Sequence, residues 1–349
     1  MKTKFKSSIR AAYHSFGGAA CVGAVLLIAS SARAQNLFAA GYSYTTIYEI
    51  TPGGTVSIFN NNLSGPQGLA FNSAGDLFVA NYDWFSGNGG KINKITPSGT
   101  MSTFATLSGN AYVLAFDSAG NLFVSNPSFN AIVKIKTNGV TSTFATVSGN
   151  PGELAFNSAG DLFVICTLGN RITKITTNGV TSTFASGFYS PHGLVFDSAG
   201  NLFTVSSGQV IKVKPDGTQS LFTMVNDPMG LTIDSADNLF VSQRFDRSII
   251  KIAPNKKQST FASGLCQQVI GLAFQPAPPI LGIISRTNGV PYVIGVSGVC
   301  GQKIVFQSSP DLQNWASLVT NTFTSARWNY TNNTPQNYNA QYYRALWLW

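Results

Sequence analysis

Seven side chains suited to holding a ligand lie beside strongly repeated segments of this 349-residue chain, at positions where the repeats differ from one another. They are Asn81, Trp84, Phe85, Tyr112, Asn126, His192 and Gln243. Aromatic rings offer flat apolar area, while amides and imidazole offer hydrogen-bond donors and acceptors, a mixture that ligand pockets combine. Variation on a repeated frame is where a binding site is expected. We therefore predict that these residues bind a carbohydrate or a peptide/protein ligand.

Histidine-based catalysis is limited by the small number of histidines. His192 is the single histidine outside residues 1–34, so a zinc site built from several histidines is excluded. Ser206 follows in the same repeat, but no acidic residue stands out beside this pair in the sequence, so a serine–histidine–acid triad is not predicted. The sequence favours a binding or scaffold protein over an enzyme.

Seven aspartates that resemble calcium ligands lie in short turns that read NSAGD, DSAGN, DSADN or PDG. Asp and Asn cap such turns, and Gly adopts the positive φ they require. The turns lack the alternating oxygen ligands and the distal Glu of a calcium-binding loop. We assign a structural role and no metal to Asp76, Asp117, Asp161, Asp197, Asp216, Asp234 and Asp237.

Short repeated strands must position all of these residues. A segment of the type GLAF…LFV begins at residues 68, 113, 153, 193 and 230, and GLAF alone recurs at 271. The intervals of 37 to 45 residues fit one four-stranded propeller blade. The missing continuation opens at Leu37 as LFAAGY. We predict an all-β, six-bladed propeller over residues 35–275, closed by pairing of its N- and C-terminal strands so that no sheet edge is left open.

The two ends of such a propeller differ in sequence. The turns joining first to second strands and third to fourth strands share one end and are nearly identical between blades; we call this the turn end. The loops joining second to third strands and the crossovers between blades share the opposite end, which we call the top end. All seven predicted ligand-binding residues fall at the top end.

The repeated pattern resembles a known family. Segments such as VLAFDSAGNLFVSN from Val113 and GVTSTFA from Gly139 are similar to the NHL repeat and, at the level of six blades, to the senescence-marker/gluconolactonase-like superfamily. Enzymes of the lactonase branch hold a divalent cation at the top of the channel with a Glu, an Asn and an Asp. The resemblance therefore implies an alternative function, a metal-dependent lactonase-like hydrolase, with a cation such as calcium on Glu153, Asn126 and Asp227, or with Asn81 as the amide.

The two ends of the chain lie outside the repeats. Residues 1–34 combine a basic start, an apolar stretch and the small residues ARA, which predicts a signal peptide and a secreted, periplasmic or cell-surface protein. Residues 276–279, PAPP, predict a linker. Residues 280–349 alternate apolar and polar residues, as in a small β-sandwich-like domain. That domain resembles C-terminal modules of secreted proteins from environmental bacteria, which implies attachment or sorting.

Composition excludes two classes of partner. The net charge is +9, but residues 1–34 hold five basic residues and no acidic ones, leaving 17 Lys and Arg against 13 Asp and Glu in the rest. The lysines of the third strands are spread one per blade and are expected to be solvated, so no basic face for nucleic acid is predicted. No later segment reaches the roughly 18 apolar residues of a membrane span. The odd number of remaining cysteines, three, predicts free thiols.

Overall fold

The computed structural model describes residues 35–41, 45–82, 90–266, 268–276, 280–285, 292–297, 303–309, 314, 316–322, 327–332 and 342–347. Its regular structure in these residues consists of β-strands and two short 3-10 helices, Pro127–Phe129 and Thr167–Gly169. One compact unit spans Gln35–Gln275, and the described strands after it belong to a second unit. No helix in the described ranges is long and apolar enough to cross a membrane.

The first unit is the predicted six-bladed propeller, and each blade is a four-stranded antiparallel sheet. Blade 1 contains β24 (Val269–Phe274), β1 (Leu37–Gly41), β2 (Ile47–Ile50) and β3 (Val56–Asn60). Blade 2 contains β4 (Pro66–Phe71), β5 (Leu77–Asn81), β6 (Lys91–Ile95) and β7 (Met101–Thr106). Blade 3 contains β8 (Leu114–Phe116), β9 (Leu122–Asn126), β10 (Ala131–Ile135) and β11 (Thr141–Thr146). Blade 4 contains β12 (Pro151–Phe156), β13 (Leu162–Cys166), β14 (Arg171–Ile175) and β15 (Thr181–Ser186). Blade 5 contains β16 (His192–Phe196), β17 (Leu202–Ser206), β18 (Gln209–Val213) and β19 (Gln219–Met224). Blade 6 contains β20 (Pro228–Ile233), β21 (Leu239–Gln243), β22 (Ser248–Ile252) and β23 (Gln258–Ala262).

Blade 1 closes the ring by joining the two ends of the repeat region. Strand β24 pairs antiparallel with β1, with Leu37 opposite Phe274. Beyond the strands, the backbone N–H of Gln275 donates to the carbonyl of Asn36 at 3.0 Å, and Gln35 Nε2 donates to the carbonyl of Gln275 at 2.8 Å. The predicted closure is confirmed, and it pairs the edge strands that an open array would expose.

Phenylalanines hold neighbouring blades together. The second-strand Phe of each blade contacts the fourth-strand Phe of the same blade edge to face, as Phe123 does with Phe144 at 4.9 Å between ring centroids. Five of the six also contact a first-strand Phe of the next blade, and Phe240 carries this series across the closure to Phe274 at 4.9 Å. Edge-to-face pairs add to the free energy gained by burying the rings. The alternating pattern of the sequence therefore builds a continuous core between the blades.

At the turn end, one third-strand lysine in each of blades 2 to 6 forms an ion pair with a turn aspartate. The pairs are Lys94–Asp76 (2.7 Å), Lys134–Asp117 (3.8 Å), Lys174–Asp161 (2.8 Å), Lys212–Asp197 (3.7 Å) and Lys251–Asp234 (3.8 Å). The same ammonium groups lie 5.1 to 6.0 Å from the second-strand Phe rings. These lysines, predicted to be solvated, have side chains that are 28–37% exposed, because the second-strand ring and the carboxylate both attract the cation.

The second unit contains two three-stranded antiparallel sheets. One consists of β25 (Ile280–Ser285), β26 (Tyr292–Ser297) and β29 (Arg327–Asn332); the other of β28 (Ala316–Thr322), β27 (Lys303–Ser309) and β30 (Tyr342–Trp347). Phe306 of the second sheet contacts Trp328 and Tyr330 of the first, with ring centroids 5.9 and 4.8 Å apart. The two sheets are therefore in contact through these aromatic rings, of which Phe306 is buried.

Candidate functional site

A channel of about 360 Å³ lies between the first strands of the six blades. Its lining is largely backbone and aliphatic side chains. Its polar or aromatic lining residues are Gln67, Tyr112, Glu153, His192, Thr232 and Phe274. The first four lie at the top-end start of a first strand and include both titratable side chains of the lining, Glu153 and His192.

Glycines allow the first strands to approach one another closely around this channel. A Cβ on Gly68 would lie 2.6 Å from the carbonyl oxygen of Tyr112, and one on Gly230 would lie 2.0 Å from that of Ile270. Glu153 occupies the equivalent position in blade 4, where GLAF reads ELAF. Glu153 therefore adds a carboxylate at a position where blades 2, 5, 6 and 1 have glycine, and it lines the channel.

Irregular strand pairing changes the direction in which side chains point at the channel entrance. The register of the first and second strands shifts between Pro66 and Leu69 in blade 2 and between Pro151 and Leu154 in blade 4. A β-bulge of this kind changes the direction in which side chains point. Glu153 lies inside the blade 4 bulge, and Gln67 inside that of blade 2, which explains how alternating strands present polar side chains to the channel.

Glu153, His192 and Ser190 form a chain of contacts at the channel entrance. Glu153 Oε1 lies 3.9 Å from His192 Nδ1, and His192 Nε2 lies 3.3 Å from Ser190 Oγ. The Glu153 carboxylate raises the pKa of His192 above its usual value, against the lowering effects of burial and of the nearby Arg244. The two imidazole nitrogens therefore face an acid on one side and a hydroxyl on the other.

Five buried side-chain atoms in the described ranges have no hydrogen-bond partner, and all are acceptor oxygens at the top end. They are Gln67 Oε1, Asn81 Oδ1, Asn126 Oδ1, Glu153 Oε2 and Asp227 Oδ2. A buried acceptor left unsatisfied costs about 1–3 kcal/mol. Among these five residues, Gln67 and Glu153 line the channel. Each of these two residues therefore combines a place in the channel wall with an acceptor oxygen that the fold leaves without a donor.

The remaining predicted ligand-binding residues fall into three groups. Tyr112 and His192 line the channel, as described. Asn81 donates through Nδ2 to Asn93 Oδ1 at 2.7 Å, and Asn126 donates to the carbonyl of Ser108 at 2.8 Å, so both amides are used in hydrogen bonds within the propeller. The same holds for Gln243, whose Nε2 donates to the carbonyl of Asn226 and whose Oε1 accepts from the hydroxyl of Ser248. Trp84 and Phe85 lie outside the described residues.

The residues implied for a divalent cation have suitable oxygen donors but do not share one cavity. Glu153, Asn126 and Asp227 each carry one of the unpartnered oxygens, and carboxylate and amide oxygens are ligands that calcium accepts. Only Glu153 lines the channel, however, and its other oxygen faces His192. Nor do the described residues contain a cluster of three His, Cys, Asp or Glu side chains placed to hold a metal. The set does not fit a single cation as it stands.

Ser190 and Gln67 were not among the predicted site residues. Ser190 lies two residues before the single histidine of the repeats, at a place where the preceding crossover has Asn150. That hydroxyl beside a histidine was the available signal. The acid could not be found from sequence spacing, because Glu153 belongs to the neighbouring blade and reaches His192 only when the ring is formed.

Apolar side chains are exposed on several loops of the top end. Four are well exposed there: Phe129 (59%), Leu168 (82%), Tyr189 (75%) and Phe245 (69%). Side-chain hydrogen bonds fix the loops that carry the first three, since Asn130 Oδ1 accepts from the backbone N–H of Asn150 and Asn170 Oδ1 accepts from that of Ser190. The top end therefore combines an acceptor-lined channel with ordered, exposed apolar groups.

Comparison with known proteins supports the fold. No family model and no curated protein matches the chain. Among solved structures, a protein of unknown function from Bacteroides caccae is similar at a TM-score of 0.56 and 14% identity, over 69% of this chain and 98% of that one. A catalytically inactive virginiamycin B lyase from Staphylococcus aureus, with quinupristin, is similar at 0.52 and 14%, over 84% and 97%. The calcium-binding protein regucalcin from Agrobacterium tumefaciens is similar at 0.50 and 12%, over 66% and 81%. These structural matches establish a shared six-bladed propeller fold. At identities this low they show nothing about function, which must be argued from the site itself.

Proposed function

We propose that this protein is a secreted binding protein whose propeller holds a carbohydrate at the top end of its channel. The observation that carries the proposal is that two channel-lining residues, Gln67 and Glu153, each hold a buried acceptor oxygen without a partner. Each needs a donor, and sugar hydroxyls supply several donors in a small volume. A channel of about 360 Å³ lies at the lower end of the range for small-molecule sites.

The exposed apolar groups around the entrance agree with the same ligand class. A sugar ring has one face of C–H groups that packs on aromatic or aliphatic side chains, and Tyr189 and Phe245 offer such surfaces at the top end. Tyr112 lines the channel and its ring contacts that of Tyr82 at 5.5 Å. The turn end repeats one set of backbone and ion-pair contacts, so it offers little with which to discriminate between ligands.

Glycan and peptide arrays, followed by calorimetry on the best ligand, test this proposal. Gln67→Met and Glu153→Met remove the two acceptors while keeping the approximate side-chain volume, and each is expected to weaken binding by about tenfold, the effect of losing one hydrogen bond. The control is the double variant Asp117→Asn with Asn121→Asp, which gives blade 3 the NSAGD turn of blades 2 and 4 and should not change affinity. Binding of peptides alone, or wild-type affinity in both methionine variants, would contradict the proposal.

A further inference from the structure

We propose that Ser190, His192 and Glu153 form a hydrolytic triad for esters, with Ser190 as the nucleophile. This activity goes beyond the proposed function, which requires binding only. The roles follow from the order of contacts: the hydroxyl meets one imidazole nitrogen, and the carboxylate lies beside the other. A serine nucleophile, a histidine base and an acid that orients the base are recognised by this geometry and not by their order in the sequence.

The distances suit a triad that tightens when substrate binds. Ser190 Oγ lies 3.3 Å from His192 Nε2, and Glu153 Oε1 lies 3.9 Å from His192 Nδ1. Catalytic contacts are often longer in the free enzyme than in the complex. Ser190 is exposed, whereas the side chains of His192 and Glu153 are 27% and 19% exposed. The nucleophile is thus accessible to substrate, and the acid is shielded from water.

Hydrogen bonds hold the segment that carries the nucleophile and the base. The backbone N–H of Tyr189 donates to Ser206 Oγ at 2.9 Å, and that hydroxyl donates back to the carbonyl of Tyr189 at 2.9 Å. Thr204 Oγ1 donates to the carbonyl of His192 at 3.0 Å. The side chains of Thr204 and Ser206 come from β17, the second strand of the same blade, so the scaffold fixes the backbone on either side of the Ser190 hydroxyl.

The crossovers equivalent to the one that carries Ser190 show which of its properties belong to the repeat and which are particular to blade 5. The residue before the proline is left-handed in all four crossovers that contain this proline, with φ of 58° at Gly65, 61° at Asn150, 45° at Ser190 and 41° at Asp227. The backbone conformation at Ser190 therefore belongs to the repeat. What blade 5 adds is a hydroxyl at that position and a histidine two residues later, where the blade 4 repeat has Gly152. Together with Glu153 in place of the usual glycine, three residues that are particular to their blades meet at one point.

The reaction is acyl transfer in two steps. Ser190 Oγ attacks the ester carbonyl while its proton passes to His192 Nε2, and Glu153 stabilises the imidazolium. The bond to the leaving alkoxide breaks, and His192 returns the proton to it as the alcohol departs, leaving an acyl group on Ser190. Water, deprotonated by His192, then attacks this acyl-serine, releasing the carboxylic acid and the free hydroxyl. No oxidant, reductant or metal enters the balance.

The site also indicates which esters fit. The charge of Arg244 lowers the pKa of the His192 imidazole, against the larger effect of Glu153, so charges of both signs act on the base. The acceptors Gln67 Oε1 and Glu153 Oε2 favour an alcohol portion rich in hydroxyl groups. An ester on a carbohydrate hydroxyl is therefore the expected substrate class. This preference rests on the proposed function, whereas the triad does not.

The full-length protein is tested with a fluorophosphonate probe and with p-nitrophenyl acetate. Mass spectrometry should find the probe on Ser190, and ester hydrolysis should fall by at least about 100-fold in Ser190→Asn. That variant carries the residue found at the equivalent position 150, which tolerates the left-handed backbone, so it should fold. Ser148→Ala, an exposed serine of the preceding crossover, is the control and should retain labelling and hydrolysis.

A pH profile separates a triad from a merely structural histidine. His192 must be neutral to accept the proton, so hydrolysis should rise with pH through its raised pKa. Glu153→Gln removes the main cause of that shift, and it should lower the maximal rate by about tenfold or more and move the acidic limb to lower pH. Wild-type hydrolysis in Ser190→Asn, labelling of another serine alone, or activity abolished by a chelator would overturn the triad. Carbohydrate binding without labelling of Ser190 would refute the triad alone, and labelling without carbohydrate binding would refute the proposed function alone.

Discussion

The two ends of the propeller are built from the same repeat and use it in opposite ways. At the turn end, five blades place a lysine against a turn aspartate and over a phenylalanine ring, so one arrangement is copied around the axis. At the top end, the positions next to the channel hold Gln67, Tyr112, Glu153, His192 and Met229. The five lysine–aspartate pairs of the turn end balance one another's charge, whereas the top end leaves oxygens without partners.

This contrast separates the repeated residues of the turn end, which stabilise the fold, from the varied residues of the top end, which are available for function. Because the repeat is shared, each blade packs against the next through the same kind of contacts. An equivalent residue in another blade can therefore serve as a control. Single departures from the repeat, such as Glu153 in place of glycine, gain nothing for packing and bring a carboxylate into the channel. Substitutions at the two ends should therefore differ in the size of their effect on stability.

The largest effect is expected from the core between the blades. Phe123 contacts Phe144 and Phe156 with centroid distances of 4.9 and 5.0 Å and lies beneath the Lys134 ammonium. Phe123→Ala should lower the free energy of unfolding by about 3–5 kcal/mol, measured by urea denaturation. Tyr189→Ala, at the exposed top end, should change it by less than about 0.5 kcal/mol. Equal losses would remove the distinction between the two ends.

A smaller loss is expected at the glycines of the channel wall. A Cβ on Gly230 would lie 2.0 Å from the backbone oxygen of Ile270, so the neighbouring strand must move. Gly230→Ala should cost about 1–3 kcal/mol, as overpacking does, whereas Glu153→Gly should leave the ring closed and soluble. A wild-type melting temperature for Gly230→Ala would show that the strands are not held at the observed separation.

The Glu153–His192 pair should make stability depend on pH. The pKa of His192 is raised in the folded protein, so the pair stabilises the fold fully below the unfolded pKa of about 6.5, and this contribution is lost as pH rises through the folded pKa. The difference in melting temperature between wild type and Glu153→Gln should be larger at pH 5.5 than at pH 9. A difference that grows toward pH 9 would contradict the assignment.

The smallest effect is expected from exchanging turn residues. Asp117 Oδ2 accepts from Asn121 Nδ2 at 2.8 Å, and Asn72 Nδ2 makes the mirrored bond to Asp76 in blade 2 at 3.0 Å. The double variant Asp117→Asn with Asn121→Asp keeps one acid near Lys134 and should change unfolding free energy by less than about 0.5 kcal/mol. Asp117→Asn alone loses the ion pair and should cost up to about 1 kcal/mol. A double variant worse than the single one would show that the two turn types are not interchangeable.

The sequence predicted the parts of this protein that are written into every repeat. Strand order, blade number, closure at Leu37 and the structural role of turn aspartates follow from local pattern and spacing. The site was only partly predictable. His192 and Tyr112 were found because they break the repeat, but their partners depend on the ring: Glu153 is 39 residues away from His192 in the sequence, and only packing of neighbouring blades brings the two side chains together.

The lysines show a second limit of prediction from sequence. Their regular spacing indicated exposure, since charged residues at one position of a strand usually face water. The second-strand Phe and the turn aspartate occur in the same repeat, yet their convergence on the lysine depends on strand register. Lys134 lies opposite Phe123 across the pair β9–β10, a relation that requires both strands to be aligned.

The split blade also determines when this propeller can finish folding. Strand β1 has its outer partner β2 close by in the chain, but its inner partner β24 is more than 220 residues downstream. A ribosome that has made five blades has therefore produced an array with two unsatisfied edges, and completion waits for Val269–Phe274 to emerge. Closing such a long loop is slow compared with forming a local hairpin. In blade 1, the last propeller strand to be synthesised, β24, therefore covers the exposed edge of the first, β1.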